Sequence, residues 1–367
     1  MKKALYFILV IILTSCVGSR PRFDSSATAN SATGSGYFYE ESSNNHGIRT
    51  SESTGIIKDY EDQIINKIDI LNHLRNESDC NETFVFFTDP HSFLPGTGYN
   101  VDYKKLEQQF DLLQTVYELT SSEFIMCGGD LLNNGDTKSE ACFKLSLFNS
   151  MLKLRFANPY IIVGNHDTNY QGDTYISNGD FRSCMLDNET LNDILFDGNE
   201  SYYLFKTNFS SYYCFNTGID FTAYQIDSYQ WEQLQWFANS LLLDDSPYKN
   251  IFIHIALRNS NTLLTPFVLE LEKIINAFKH RISISVNGSE FDYSNSIGSV
   301  CFLQAGHSHS DINSFSCAEL PIIVTTSFSS PEAVSRPTFD IVFADYTNNK
   351  VECLRIGDGE DRTFMFS

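Results

Sequence analysis

The stretch Phe124-Ile125-Met126-Cys127-Gly128-Gly129-Asp130-Leu131-Leu132-Asn133 runs four apolar residues straight into two glycines, an aspartate and, three residues on, an asparagine. A short apolar run bounded by a turn signal reads as a strand buried on both faces, the kind found in parallel sheets. Two neighbouring stretches repeat the design. Thr83-Phe84-Val85-Phe86-Phe87-Thr88 leads into Asp89-Pro90-His91, and Tyr160-Ile161-Ile162-Val163 leads into Gly164-Asn165-His166-Asp167. Helical patterns fill the gaps. Residues 100–119 start at Asn100, a capable cap, and carry Leu106, Phe110, Leu113 and Tyr117 on one stripe; residues 139–154 form a second helix, and 56–74 an earlier one bearing Ile57, Tyr60, Ile64, Ile68 and Leu71. Alternating strands and helices predict an α/β domain with a parallel sheet.

Further along, the pattern shortens. Residues 202–206, 212–215 and 221–226 read as antiparallel strands, followed by a helix at 229–243, a strand at 251–255 and a helix at 265–280. Strands at 300–304 and 322–326 come next. A hairpin, 339–346 with 351–356, turns across Thr347-Asn348-Asn349-Lys350. The tail after it is polar and turn-rich, and Arg362 within it reads as an exposed ion-pair residue. No break in the apolar pattern divides residues 56–367, so they are expected to form one domain.

Composition narrows the function. Of 367 residues, 42% are apolar and 14% aromatic, ample for a large core, and the formal net charge is −21. That charge makes nucleic acid an improbable partner, since phosphate backbones are bound by clustered Lys and Arg, and the basic residues form no block beyond Lys2-Lys3. These two lysines precede an apolar run, 4–13, of signal-peptide size, too short to span a bilayer comfortably. Leu13-Thr14-Ser15-Cys16 then resembles the lipobox of bacterial lipoproteins, which implies that residues 1–15 are removed, that Cys16 is acylated and that the mature chain is held by its lipid on a cell membrane outside the cytoplasm. Residues 16–55, rich in Ser, Asn, Gly and Thr, are expected to be a flexible tether. Eight further cysteines follow without a C-x-x-C pair, and spacing alone assigns no disulfide among them.

In a mostly parallel sheet the carboxyl ends of the strands share one edge, and ligands bind there. Asp89 and His91, Asp130, Asn165 and His166, His254, and His307 and His309 all follow, or closely end, a strand. Five separated segments thus deliver Asp, Asn and His to one place, without cysteine. That donor set suits manganese, iron or zinc. Gly129, Gly164 and Gly306 precede ligand positions, where a sharp backbone bend is expected. His46, His73 and His280 lie elsewhere and carry no expected role.

Read in order, D-x-H, G-D-x-x-[DN], G-N-H-[DE], a lone His and G-H-x-H resemble the calcineurin-like metallophosphoesterases over residues 82–346, and Gln233-Leu234-Gln235-Trp236 resembles the helix that commonly precedes the lone His. The resemblance implies a four-layer α/β/β/α sandwich, two mixed sheets flanked by helices. By position it implies one metal on Asp89, His91, Asp130 and His309, and a second on Asp130, Asn165, His254 and His307. The resemblance further implies that a hydroxide shared by the metals would attack phosphorus in line while His166 would protonate the leaving group, with Asp167 or Asn133 orienting that imidazole. The implied substrate is a small phosphoester, monoester or diester. The competing reading is a non-catalytic surface lipoprotein reusing the fold. Such a copy would tolerate the loss of a metal ligand, and none is lost.

Overall fold

The computed structural model describes residues 55–93, 100–169, 175–185, 195–196, 201–218, 225–257, 263–315, 319–329 and 337–367, all within one unit, Tyr37–Ser367. The signal segment, Cys16 and the expected tether lie outside the described residues, apart from Gly55, as do residues 221–224 of the expected strand at 221–226. No described helix is long and apolar enough to cross a membrane.

The first half lays down α1 (Gly55–Asn76), β1 (Asn81–Phe87), α2 (Tyr103–Leu119), β2 (Phe124–Cys127), α3 (Lys138–Arg155) and β3 (Pro159–Ile161). A single 3-10 turn, His166–Thr168, leads on to α4 (Asn178–Met185). Then come β4 (Leu195–Phe196), β5 (Tyr203–Lys206), β6 (Ser210–Cys214), α5 (Ser228–Leu243), β7 (Tyr248–Phe252) and α6 (Pro266–His280). The last part is all strand: β8 (Ser283–Val286), β9 (Ser289–Asp292), β10 (Ser299–Ala305), β11 (Ile312–Phe315), β12 (Pro321–Val324), β13 (Phe339–Asp345), β14 (Lys350–Ile356) and β15 (Arg362–Met365).

Helix starts follow local chemistry. The Thr137 hydroxyl and the Glu140 carboxylate close a capping box on α3, Asp227 and Gln230 close another on α5, and Thr265 caps α6 with Pro266 at its first position. The cap of α2 is Asp102, which accepts from the Lys105 amide, rather than Asn100 as expected. The carboxylate satisfies one of the orphan donors that every helix leaves at its start.

One sheet has six strands in the order β15-β14-β13-β1-β2-β3, with β1, β2 and β3 parallel and β13 antiparallel to β1. The other has seven, β11-β12-β10-β7-β6-β5-β4, and both are mixed. β8 and β9 form a separate hairpin. Side chains alternate along the second sheet, as a strand's period of two requires. Tyr212, Cys214 and Phe252 join the core that contains the first sheet, while Tyr213, Phe215, Ile251 and Ile253 pack with Leu234 and Phe237 of α5 and Phe267 and Leu271 of α6. Helices therefore cover the outer faces and the sheets face each other, giving the expected four layers.

The seam between the sheets is aromatic. Across it, Tyr160 stacks on Phe205 at 3.7 Å, and Phe84 meets Tyr212 and Phe252 edge-on at 5.9 and 5.7 Å. Such ring pairs contribute about 0.5–1.5 kcal/mol each beyond the area they bury. The seam thus fixes the relative position of the two sheets, and with it the relative position of every loop at their common edge.

Candidate metal centre

The loops after β1 and β2 continue side by side beyond their strands. The amides of Asp89, His91 and Ser92 donate to the carbonyls of Gly129, Asp130 and Leu131 at 2.9, 3.1 and 3.0 Å. Asp167, fully buried, gathers the amides of Gly164, Asp130, Leu131 and Leu132 at 2.7–3.1 Å, locking the loop after β2 to the loop after β3. Burial, then the neighbouring Asp130 charge, push the Asp167 carboxyl up to about 7. The N–H donors pull the other way by favouring the ionised form.

Each carboxylate and two of the imidazoles are held by one atom and left open at another. Asp89 Oδ2 takes the Thr88 hydroxyl at 2.7 Å and the His307 amide at 2.9 Å, which leaves Oδ1 facing His309 Nε2 at 3.1 Å. Asp130 Oδ1 takes the His166 amide at 2.7 Å, and its Oδ2 lies 3.0 Å from His254 Nε2. His91 Nδ1 donates to the Leu132 carbonyl at 2.9 Å and His254 Nδ1 to the Gly128 carbonyl at 2.7 Å. A neutral imidazole with its proton fixed on Nδ1 presents its lone pair at Nε2, the arrangement that outer partners impose on metal-binding histidines.

Two triads result. The ligand atoms of Asp89, His91 and His309 lie within 4.8 Å of one another, as do those of Asp130, His254 and His307. Asp89 Oδ1, 3.9 Å from both His91 Nε2 and His254 Nε2, lies between them. Asn165 Oδ1 and His254 Nε2 are buried and make no aligned hydrogen bond. A buried acceptor left without a donor is costly, and a cation would satisfy it. The donor set and these two atoms fit a metal pair.

The electrostatics tell the same story. Burial alone would raise both carboxyls, yet the His254 charge holds Asp89 and Asp130 below the usual carboxylate range. In return, Asp130 and Asp89 overcome burial and lift His254 to about 10, whereas burial and the His254 charge push His307 down to about 4. Two buried carboxylates demand positive charge, and the surrounding imidazoles, His254 foremost and His309 beside Asp89, answer it. A bound cation would take over that demand.

Backbone strain concentrates here. Asp89, His91, Asp130, His307 and His309 all have φ between 39° and 70°. Non-glycine residues in that region are uncommon and gather at functional sites. The glycines act differently from expectation. Gly129, at φ +95°, does bend the chain, but Gly164 and Gly306 are there for close approach: a Cβ would sit 2.2 Å from Asp130 Oδ1 and 2.0 Å from Thr88 Oγ1 respectively. His254 also lies beyond its strand, since β7 ends at Phe252; the His254 and Ile255 amides donate to Thr217 Oγ1 at 3.2 and 2.9 Å. Gln233 reinforces that floor from α5 by exchanging hydrogen bonds with the Asn216 backbone at 2.7 and 2.9 Å.

His166 stands at the mouth. Its side chain is 28% exposed, and its Nε2 lies 4.0 Å from Asp130 Oδ2. Burial is the main influence on its pKa and lowers it. The expected orienting residues need correction. Asn133 donates to the His91 and Phe93 carbonyls at 3.1 and 2.6 Å, and Asp167 serves the backbone amides described above. The amide 2.6 Å from His166 Nδ1 belongs to Asn134, which sits at φ 65° before Gly135 at φ 83°. An Asn-Gly turn is the available sequence signal for it, because Asn tolerates the left-handed region. Arg362 is likewise buried, with its guanidinium 2.7 Å from Asp340 Oδ2, in place of the exposed position expected.

A family model described as calcineurin-like phosphoesterase matches residues 82–310. Among solved structures, a dimetal phosphatase from Danio rerio is 13% identical, with a TM-score of 0.51 over 78% of this chain and 99% of that one. A purple acid phosphatase from yellow lupin seeds is 12% identical, with a TM-score of 0.47 over 77% of this chain and 53% of that one. The calcineurin-like phosphoesterase YfkN from Bacillus subtilis is also 12% identical, with a TM-score of 0.39 over 78% of this chain and 90% of that one. At 13% identity the likeness to the Danio rerio structure speaks for the fold alone. No curated protein matches the chain in sequence.

Proposed function

The chain belongs to the calcineurin-like phosphoesterase family, metal-dependent phosphoester hydrolases, and from that premise we propose that Asp89, His91, Asp130 and His309 hold one cation and Asp130, Asn165, His254 and His307 a second. Manganese, iron and zinc all suit these donors. Two such cations, when bound, would supply Lewis acidity to phosphoryl oxygens and to a bound water. The protein's own residues do the rest. Asp167 and the paired loops keep the ligand atoms converged. His166 delivers a proton from Nε2 to the departing oxygen, as an alkoxide leaving group requires. The Asn134 amide 2.6 Å from Nδ1 orients the ring, and the proton that the imidazolium gives up, becoming neutral imidazole, is the one on Nε2, the nitrogen 4.0 Å from Asp130 Oδ2.

One observation carries this reading: Asp89, His91, Asp130 and His254, on three separate loops, each spend one polar atom on a protein partner and leave one toward the common centre. The substrate we propose is a small phosphomonoester or phosphodiester, since a formal net charge of −21 disfavours long nucleic acid. The test is metal analysis of the full chain together with hydrolysis of p-nitrophenyl phosphate and bis-p-nitrophenyl phosphate. The expected result is close to two metals per chain, with turnover lost on chelation and restored by manganese. The preferred ester then defines the activity. A folded chain with neither metal nor turnover would overturn the proposal in favour of a binding protein built on the same fold.

We also propose that a lipid on Cys16 anchors the enzyme outside the cytoplasm, with residues 17–55 as a tether. The support is the sequence: Lys2-Lys3, the apolar run and the Leu13-Thr14-Ser15-Cys16 junction. Cys16→Ser is expected to shift the protein from the detergent-extracted membrane fraction to the soluble fraction, with hydrolysis unchanged. Continued sedimentation with membranes would exclude the anchor.

A further inference from the structure

His307 and His309 stand in the loop between β10 and β11, both with positive φ. Their own turn gives them little backbone support: the Ser308 amide reaches the Gly306 carbonyl at 2.8 Å. The support comes from outside. Asp311, at the exit of the loop, receives both Nη atoms of Arg355 at 2.7 and 2.8 Å, a two-pronged contact, and Arg362 Nη1 approaches at 3.3 Å. Arg355 belongs to β14 and Arg362 to β15, at the edge of the other sheet. The bridge therefore crosses from the six-stranded sheet to a loop of the seven-stranded one. Asp340 of β13 completes it, accepting Arg355 Nε at 2.8 Å and Arg362 Nη2 at 2.7 Å. Two arginines and two carboxylates thus balance one another. The side chains of Arg355 and Asp340 are 1% and 0% exposed.

The same bridge reaches the ligands through Thr326. Its amide donates to Asp311 Oδ1 at 3.1 Å, and its hydroxyl donates to the His309 carbonyl at 3.0 Å. Its neighbours hold the other ligand loop: the Ser327 hydroxyl donates to the Asp89 carbonyl at 2.8 Å, and the Phe328 amide to the Thr88 carbonyl at 2.8 Å. One segment after β12 therefore grips both Asp89 and His309, and Asp311 is the post to which it is tied.

We propose that Arg355, Asp311 and Thr326 are positioning residues that hold the His307–His309 loop in its ligand-bearing conformation. The inference rests on the metal-centre reading above. A planar, permanently charged guanidinium suits this post because it fixes a carboxylate in two directions at once. Partners behind metal ligands commonly account for 10–100-fold in metal affinity or activity.

The test is manganese(II) titration of the full chain by calorimetry, with the melting temperature followed in parallel. Arg355→Met alone leaves Arg362 as the one arginine for the buried Asp340 and the partly exposed Asp311, and can cost the fold. The double variant Arg355→Met/Asp311→Asn removes one charge of each sign, and Thr326→Val removes only the hydroxyl. The expected result is that the double variant regains most of the melting temperature lost by Arg355→Met, yet binds manganese about 10–100-fold more weakly at the site that His309 completes. Thr326→Val is expected to weaken that same site while melting like the wild type. Wild-type affinity at both sites in the double variant and in Thr326→Val would overturn the positioning role and leave the metal centre standing. Affinity that merely tracks melting temperature at both sites would overturn it too, by showing general destabilisation. A wild-type chain that takes up no manganese, iron or zinc would bring down the metal reading and this inference together.

Discussion

Asp130→Ala is expected to lose metal and turnover together while keeping its fold. The backbone of Asp130 stays anchored, because its amide donates to Asp167 and its carbonyl accepts from His91. What disappears is the carboxylate whose Oδ1 fixes the His166 amide and whose Oδ2 faces His254. In the proposed centre that carboxylate serves both cations, so neither site remains complete. The Lewis-acid contribution at such a centre is several kcal/mol, which at 1.36 kcal/mol per decade corresponds to a fall in rate of about 10³-fold. Metal content by plasma mass spectrometry and the far-ultraviolet dichroism of the same sample check the two halves of the claim. A variant that kept two metals per chain would show that Asp130 is not a shared ligand.

His166→Ala is expected to behave in the opposite way, with both metals retained and turnover lost. In the structure His166 offers its amide to Asp130 and its ring to the pocket mouth, and the alanine variant keeps the amide. General acid catalysis is worth about 10²–10⁴-fold, and the loss should scale with the basicity of the leaving group. An alkyl phosphate should show nearly the whole effect. A p-nitrophenyl ester, which departs without help, should show little. A plot of rate against leaving-group pKa for wild type and variant checks this directly, and an alkyl ester cleaved at the wild-type rate would refute the assignment.

Much of the metal centre could be read from residue order alone. Asp89, Asp130 and Asn165 each follow an apolar run, and the end of a buried strand is a place whose position in space the sheet determines. The apolar pattern runs on through Ile253 and Ile255, but beyond Phe252 the strand frays: the Ile253 amide and the His254 carbonyl still bond Gln304 and Gly306, while the His254 and Ile255 amides turn to Thr217. Contacts between loops were not legible. Asn134 and Asn133 are chemically identical neighbours, and only the turn through Gly135 decides which of them meets His166. Arg362 looked exposed because its neighbours are polar, yet Asp311 and Asp340, far along the chain, bury it. The hairpin of β8 and β9 is hard to read because each strand has four residues, and Ile284, Val286 and Phe291 are too few to mark a period among polar neighbours. Hydroxyls such as those of Thr326 and Ser327 carry no periodic signal at all, and these stitch the ligand loops together.

The ring-lined seam has a consequence for how the catalytic pocket can move. Asp89, His91, Asp130 and Asn165 ride on one sheet, and His254, His307 and His309 on the other, so hinge-like breathing between the slabs would pull the pocket apart. Rings that meet across the seam, such as Phe84 with Tyr212 and Phe252 and Tyr160 with Phe205, leave no slack for that motion. Adaptation to differently shaped esters is thereby displaced to the rim, where loops can be lengthened or exchanged while the vice beneath them stays shut.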